Sequence, residues 1–184
     1  MEKEYVVGVT GASGICYARR LLEVLCTDAT VHVIVSDVAT KIAAHEGVDL
    51  SGFRAKYHKN DRMFSEIASG SYRYDGMVVI PCSQKTLAAI AHGYADNLIT
   101  RTADICLKER RICILVTRET PLSEIHINNM LAAHRAGATI MPASPPFYHR
   151  PRTLDDLVDM VVARVLDHLG IEHTLGGRWS GTNA

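Results

Sequence analysis

Three short stretches carry most of the residues able to do chemistry. The first is "GVTGASG" at 8–14, where Gly8, Gly11 and Gly14 recur every third position between an apolar run and a helical pattern. A strand–glycine–helix turn offers backbone N–H groups and the positive end of a helix dipole to an anion. The spacing is G-x-x-G-x-x-G, not the dinucleotide G-x-G-x-x-G, and Ser36 rather than an acid ends the next strand. The ribose contact of a nicotinamide dinucleotide is therefore missing, and a mononucleotide such as FMN fits better. A tight turn that uses glycine for packing alone is the alternative. The second stretch, "PCSQKT" at 81–86, sets Ser83 as a helix N-cap and lets Ser83, Gln84, Lys85 and Thr86 present successive donors. Capping alone explains Ser83 equally well.

The third stretch, "TRETP" at 117–121, puts Arg118 directly after a strand. Other cations lie in other elements. Arg101 and Lys108 are seven apart on one predicted helix, hence on one face. Arg164 sits in "DMVVARVLDHL", where apolar neighbours make a guanidinium need an anionic partner. Tyr148, in "PPFYHRP", adds a hydroxyl. Such a set binds phosphate well, although a surface charge is the alternative for each member alone. Glu46, in "AAHEG", is either a functional carboxylate or a solvated helix end. Nine histidines are scattered without HExxH or paired ligand spacing, so no metal site is expected. No GxSxG occurs either.

The elements that must position these residues alternate along the chain. Strands are predicted at 4–10, 30–36, 76–82, 111–117 and 137–143. Helical patterns occupy 14–27, 37–47, 83–92, 102–110, 121–136 and 153–169. This alternation predicts an α/β fold, a three-layer doubly wound parallel sheet of Rossmann-like or flavodoxin-like type, buried on both faces. Ligands of such sheets bind at the carboxyl ends of the strands. There the sequence places residues 11–14, Ser36, 82–86, 117–121 and 142–151. The segment 51–75 is the least regular, with a helix expected near 62–69. Residues 1–173 read as a single domain, and 174–184 as a tail that frays or reaches toward a neighbouring subunit.

The 184 residues suit one core, and an apolar share of 47% with 22% charged residues is that of a globular protein. Twenty basic and twenty acidic residues cancel, which argues against a nucleic-acid glove or a polybasic membrane patch. Five cysteines with no CxxC read as buried, reduced thiols. No apolar run approaches the ~18 residues of a membrane helix. "MEKEYVVGVT" runs straight into a strand without a signal peptide, so the expected address is the cytosol.

Together, "GVTGASG", Ser36, "PCSQKTLAAIAHGYADNLITRTADICLKERR", "TRETPLSEIHINNML" and "MPASPPFYHRPRTLDDLVDMVVARVLDHLG" resemble the UbiX-type flavin prenyltransferases, over about residues 4–171. The resemblance implies an enzyme that joins the five-carbon group of dimethylallyl phosphate to N5 and then C6 of FMN, without a metal. It also implies a homododecamer with active sites at subunit contacts, and delivery of prenylated FMN to a UbiD-type decarboxylase. Carried onto this chain, it assigns FMN to Gly11, Ala12, Ser13, Ser36, Ser83, Gln84, Lys85, Thr86 and Arg118. Tyr148 and Arg164 are expected to hold the dimethylallyl phosphate, with Lys108 and Arg101 beside it. Glu119 is expected to join that network from a neighbouring subunit, and Ser13 and Glu46 match positions linked to proton handling. Trp179 matches an aromatic of the family's tail.

These residue types suit the reaction. Releasing phosphate develops anionic charge, which Arg and Lys donors stabilise in a dry site. An allyl cation is stabilised by a neighbouring π-system. Bond formation at C6 releases a ring proton, which Glu46 or the freed phosphate can accept. Two other readings remain at this point. An FMN-dependent cysteine decarboxylase of the same fold needs a histidine near the first helix, and 11–31 contains none. A non-catalytic flavin-carrying subunit of an aromatic-acid decarboxylase would not need Glu46 or Lys108 for its role.

Overall fold

The computed structural model describes residues 3–177. Six strands are present: β1 (Lys3–Val9), β2 (Ala29–Val35), β3 (Lys56–Lys59), β4 (Gly76–Cys82), β5 (Ile112–Thr117) and β6 (Thr139–Pro142). They form one sheet in the order β3-β2-β1-β4-β5-β6, and every neighbouring pair is parallel. Six helices connect them: α1 (Ile15–Asp28), α2 (Asp37–Glu46), α3 (Gln84–Ala91), α4 (Leu98–Lys108), α5 (Glu124–Ala136) and α6 (Leu154–Leu169). Leaving out the four-residue β3, the order is second-first-third-fourth-fifth, the flavodoxin-like arrangement.

The three layers follow from the two-residue period of the strands. Tyr5, Val7 and Val9 of β1 pack with α1, α2 and α6, through Leu21, Leu22, Ala39, Val162 and Leu166. Val6, Met77 and Val79 turn the other way, onto Leu87 of α3, Ile99 and Ile105 of α4, and Ala133 of α5. Both faces are therefore apolar, and the central strands β1 and β4 are almost wholly buried. Arg20 of α1 reaches Asp159 of α6 through Nε at 2.5 Å and Nη2 at 3.1 Å, tying together two helices of one layer.

The differences from expectation have local causes. The sixth strand, β3, falls in the segment read as irregular; "KYHK" has no apolar alternation and becomes a strand by pairing with β2. The helix expected near 62–69 is a single 3₁₀ turn at Glu66–Ala68, anchored by buried Ile67. α4 starts four residues earlier than expected, because Asn97 and Thr100 form a reciprocal capping box. The last strand is shorter than predicted, since Gly137 adopts a left-handed conformation (φ 115°) that ends α5. Cys82, Cys106 and Cys113 are buried free thiols, whereas Cys16 and Cys26 are half-buried. Trp179 and residues 178–184 lie outside the described residues.

Candidate active site

The chain leaves β1 toward β2 and β3, then returns to place β4 on the other side of β1. Connections therefore diverge at the carboxyl ends of β1 and β4, opening a crevice where such sheets bind ligands. A cleft of about 540 Å³ opens there, lined among others by Gly11, Ala12, Ser36, Ser83–Thr86 and Arg118. Glu119 lines the same cleft from its own chain. Its walls are cross-linked: the Thr10 hydroxyl donates to the Pro81 carbonyl at 2.8 Å and accepts from the Ser83 N–H at 2.8 Å. Sequence reasoning did not single out Thr10. Its position at the end of a buried strand, facing the "PCSQKT" loop, was the only available signal.

The two helix N-termini on either side of the crevice differ in a way that bears on anions. At α1, Gly14 is the N-cap in a left-handed conformation (φ 98°) and supplies no side-chain cap. The first free N–H groups are taken by the chain's own carboxylate: Gly14 N donates to Glu46 Oε1 and Ile15 N to Glu46 Oε2, each at 2.9 Å. The glycine turn therefore does not offer this helix end to a ligand phosphate, contrary to its first reading. Glu46, the last residue of α2, already stands where an anion would bind. It is no merely solvated helix end.

Burial of the Glu46 carboxyl pushes its pKa up. The Ser13 hydroxyl, the N–H groups of Gly14 and Ile15 and the Arg118 charge outweigh that and hold it below its ordinary value. Glu46 is therefore an ionised carboxylate bonded to the N–H groups of Gly14 and Ile15. At α3, in contrast, Ser83 caps Thr86 N at 3.3 Å and donates to the Thr86 hydroxyl at 3.1 Å. At α2, Ser36 accepts from Ala39 N at 3.2 Å and so acts as the N-cap. In the cleft wall, both amide atoms of Gln84 and Nε of Arg118 are buried without a hydrogen-bond partner among the described residues. Buried polar groups are normally paired, so the two donors, Gln84 Nε2 and Arg118 Nε, fit a polar, anionic ligand seated against α3 and Arg118.

The remaining expected residues are not brought to this cleft within one chain. Tyr148 and Arg164 line a second cleft of about 330 Å³ with His149, Asp167 and His173. Arg164 is on the outer face of α6 and pairs with Asp167 at 2.6 Å, while its neighbours Val161, Val162 and Val165 turn inward. It is thus not a guanidinium buried among apolar groups, as its sequence context suggested. Arg101 pairs with Asp104 at 3.0 Å and does not line the first cleft. Lys108 lies at the far end of α4, about 10 Å along the axis from Arg101. It pairs with Glu109 close to Gly70, near the amino end of β5.

The family model described as "Flavoprotein" matches residues 1–166. The flavin prenyltransferase UbiX of Methanocaldococcus jannaschii is 48% identical over 178 residues, covering 95% of this chain and 97% of that protein. The structure of AnUbiX in complex with FMN and dimethylallyl pyrophosphate superposes with a TM-score of 0.94 at 42% identity, covering 100% of both chains. A dodecameric FMN-dependent UbiX-like decarboxylase from Escherichia coli O157:H7 gives a TM-score of 0.92 at 44% identity, covering 97% of this chain and 100% of that one.

Proposed function

The chain belongs to the flavoprotein family and, within it, to the UbiX flavin prenyltransferases, and from that premise we propose how its residues divide the work. The carrying observation is the contrast between the two helix ends. With α1 occupied by Glu46, the FMN phosphate goes to α3, held by Ser83, Gln84, Lys85 and Thr86 with Arg118 and Ser36 nearby. Gly11, Ala12 and Ser13 then border the ring system. Reduced flavin supplies nucleophilic N5 and C6 to the dimethylallyl group. Glu46, kept ionised by Ser13, the start of α1 and Arg118, is the base that takes up the proton lost from C6. Glu119 faces the same cleft and contributes to the polar network around the leaving phosphate.

Tyr148, Arg164, Arg101 and Lys108 recognise and neutralise the dimethylallyl phosphate from adjoining copies of the chain in a homododecamer. Each carries a phosphate-binding group, and Tyr148, Arg164 and Lys108 lie away from the chain's own cleft. Residues 1–173 make one flavoprotein domain, onto which Leu175 also packs, with 178–184 lying outside the described residues, and the product goes to a UbiD-type decarboxylase. Among the described residues no helix is long and apolar enough to cross a membrane. A cytoplasmic setting agrees with the free cysteines.

The direct test mixes the protein, reduced FMN and dimethylallyl phosphate without oxygen. Flavin recovered from the protein is expected to gain the mass of one prenyl unit. Recovery of unmodified FMN from a flavin-loaded protein would refute the transferase assignment. The turn is tested separately. A Cβ on Gly11 would stand 2.7 Å from Val38 Cγ1 and 3.0 Å from Val38 Cβ, so α2 or the turn must shift. Overpacking of this kind costs about 1–3 kcal/mol. Gly11→Ala is thus expected to weaken FMN binding about tenfold, read by quenching of flavin fluorescence. An unchanged affinity argues that the turn does not border the flavin.

A further inference from the structure

One buried polar cluster takes no part in the chemistry above. His32, in the middle of β2, is completely buried. Its Nε2 meets Glu4 Oε1 of β1 at 2.5 Å, and the Tyr72 hydroxyl donates to the same oxygen at 2.5 Å. Its Nδ1 lies 2.8 Å from Nε2 of His58 on β3. The other ring nitrogen of His58 lies 3.0 Å from the Ser65 hydroxyl. Glu66 opens the 3₁₀ turn beside them, and one ligand atom each from His32, His58 and Glu66 lie within 4.8 Å of one another.

We propose that His32, His58 and Glu66 form a binding site for a divalent transition-metal ion such as zinc, remote from the flavin cleft and structural in role. Two imidazoles and one carboxylate with an open position for water make a ligand set suited to zinc, cobalt or nickel rather than to magnesium or calcium. Each imidazole already has its outer nitrogen held by a second group, Glu4 for His32 and Ser65 for His58. This is how metal-ligating histidines are oriented, and it leaves His32 Nδ1 and His58 Nε2 facing one another.

With His32 taken as a neutral imidazole whose Nε2–H donates to Glu4, its Nδ1 carries the lone pair and accepts from His58 Nε2–H. Metal binding needs only that the His58 proton move to Nδ1, facing Ser65 Oγ. Neither imidazole then changes its charge. Metal–nitrogen bonds of about 2.0–2.1 Å at tetrahedral angles require the nitrogens to part from 2.8 Å to about 3.3 Å. His32 is held by Glu4, but His58 lies on a short edge strand and Glu66 is exposed, so the movable ligands are on the solvent side. The ion would clamp β3 and the 3₁₀ turn onto β2. Its ligands come from separate elements, with His32 and His58 26 residues apart, a spacing no short motif displays.

The test uses the full, tag-free, FMN-loaded chain, dialysed against micromolar zinc and assayed for metal content and melting temperature. Wild type is expected to hold one zinc per chain and to melt higher with zinc than after chelation. His58→Ala is expected to lose both effects, and Glu66→Gln to bind about tenfold more weakly. FMN affinity, unchanged in each variant, reports that they are folded. Absence of stoichiometric zinc from wild type overturns the proposal. So does zinc retained equally by His58→Ala and Glu66→Gln.

Discussion

Glu46→Gln is expected to lower prenylated-flavin formation by about 10²- to 10⁴-fold, the usual contribution of a positioned acid–base group, while FMN still binds. The amide keeps one oxygen for the N–H of Gly14 or Ile15 but faces the other N–H with a donor, so part of the α1 cap is lost. That loss costs about 1 kcal/mol of stability, too little to unfold a domain. Single-turnover product formation and flavin titration separate the two effects. A variant that transfers at the wild-type rate would exclude Glu46 as the base.

The same residue sets a pH dependence. Its folded pKa lies below the ordinary 4.5, so Glu46 remains a base, and its bonds to Gly14 and Ile15 persist, down to more acid pH than for a free glutamate. The stabilisation is fully present above 4.5 and is lost as pH falls through the lower folded value. The acid limb of product formation is therefore expected below 4.5.

Arg118→Ala carries the second large effect. Arg118 lines the cleft directly after β5, with Nε lacking a partner among the described residues, and its charge helps keep Glu46 ionised. Hydrogen bonds to charged groups contribute about 1.5–3 kcal/mol, so FMN affinity is expected to fall about 10- to 100-fold. The acid limb also moves toward higher pH, because Glu46 loses a stabilising charge. Arg118→Lys keeps the charge but not the planar fork, so it is expected to restore the pH profile more fully than the affinity. An Arg118→Ala chain with wild-type FMN affinity places the phosphate elsewhere.

The framework of the site was legible in the sequence. Alternating apolar runs and helical patterns require a parallel sheet, because each strand must be covered on both faces. The carboxyl edge of that sheet then collects Gly11, Ser36, Ser83–Thr86 and Arg118, as the structure does. The Ser83 cap was legible too, since capping depends on residue type and local spacing. β3 was not legible, because an edge strand with mixed side chains owes its form to β2 alone.

The sequence by itself thus determined the fold class, the sheet edge that gathers the candidate site residues, and the preference for a mononucleotide over a dinucleotide. Between the two turns, at 8–14 and at 81–86, the sequence left the phosphate site open; only the tertiary structure shows that the α1 end is already filled by a carboxylate. "GVTGASG" reads locally as an anion turn, and nothing in its neighbours predicts that Glu46, 32 residues from Gly14, fills it. The same holds for Lys108, whose seven-residue spacing from Arg101 puts both on one helix face but not at one site. Helix periodicity records the direction of a side chain about an axis. Its distance from a cleft, and what already occupies a hydrogen-bonding group, depend on elements far apart in the chain.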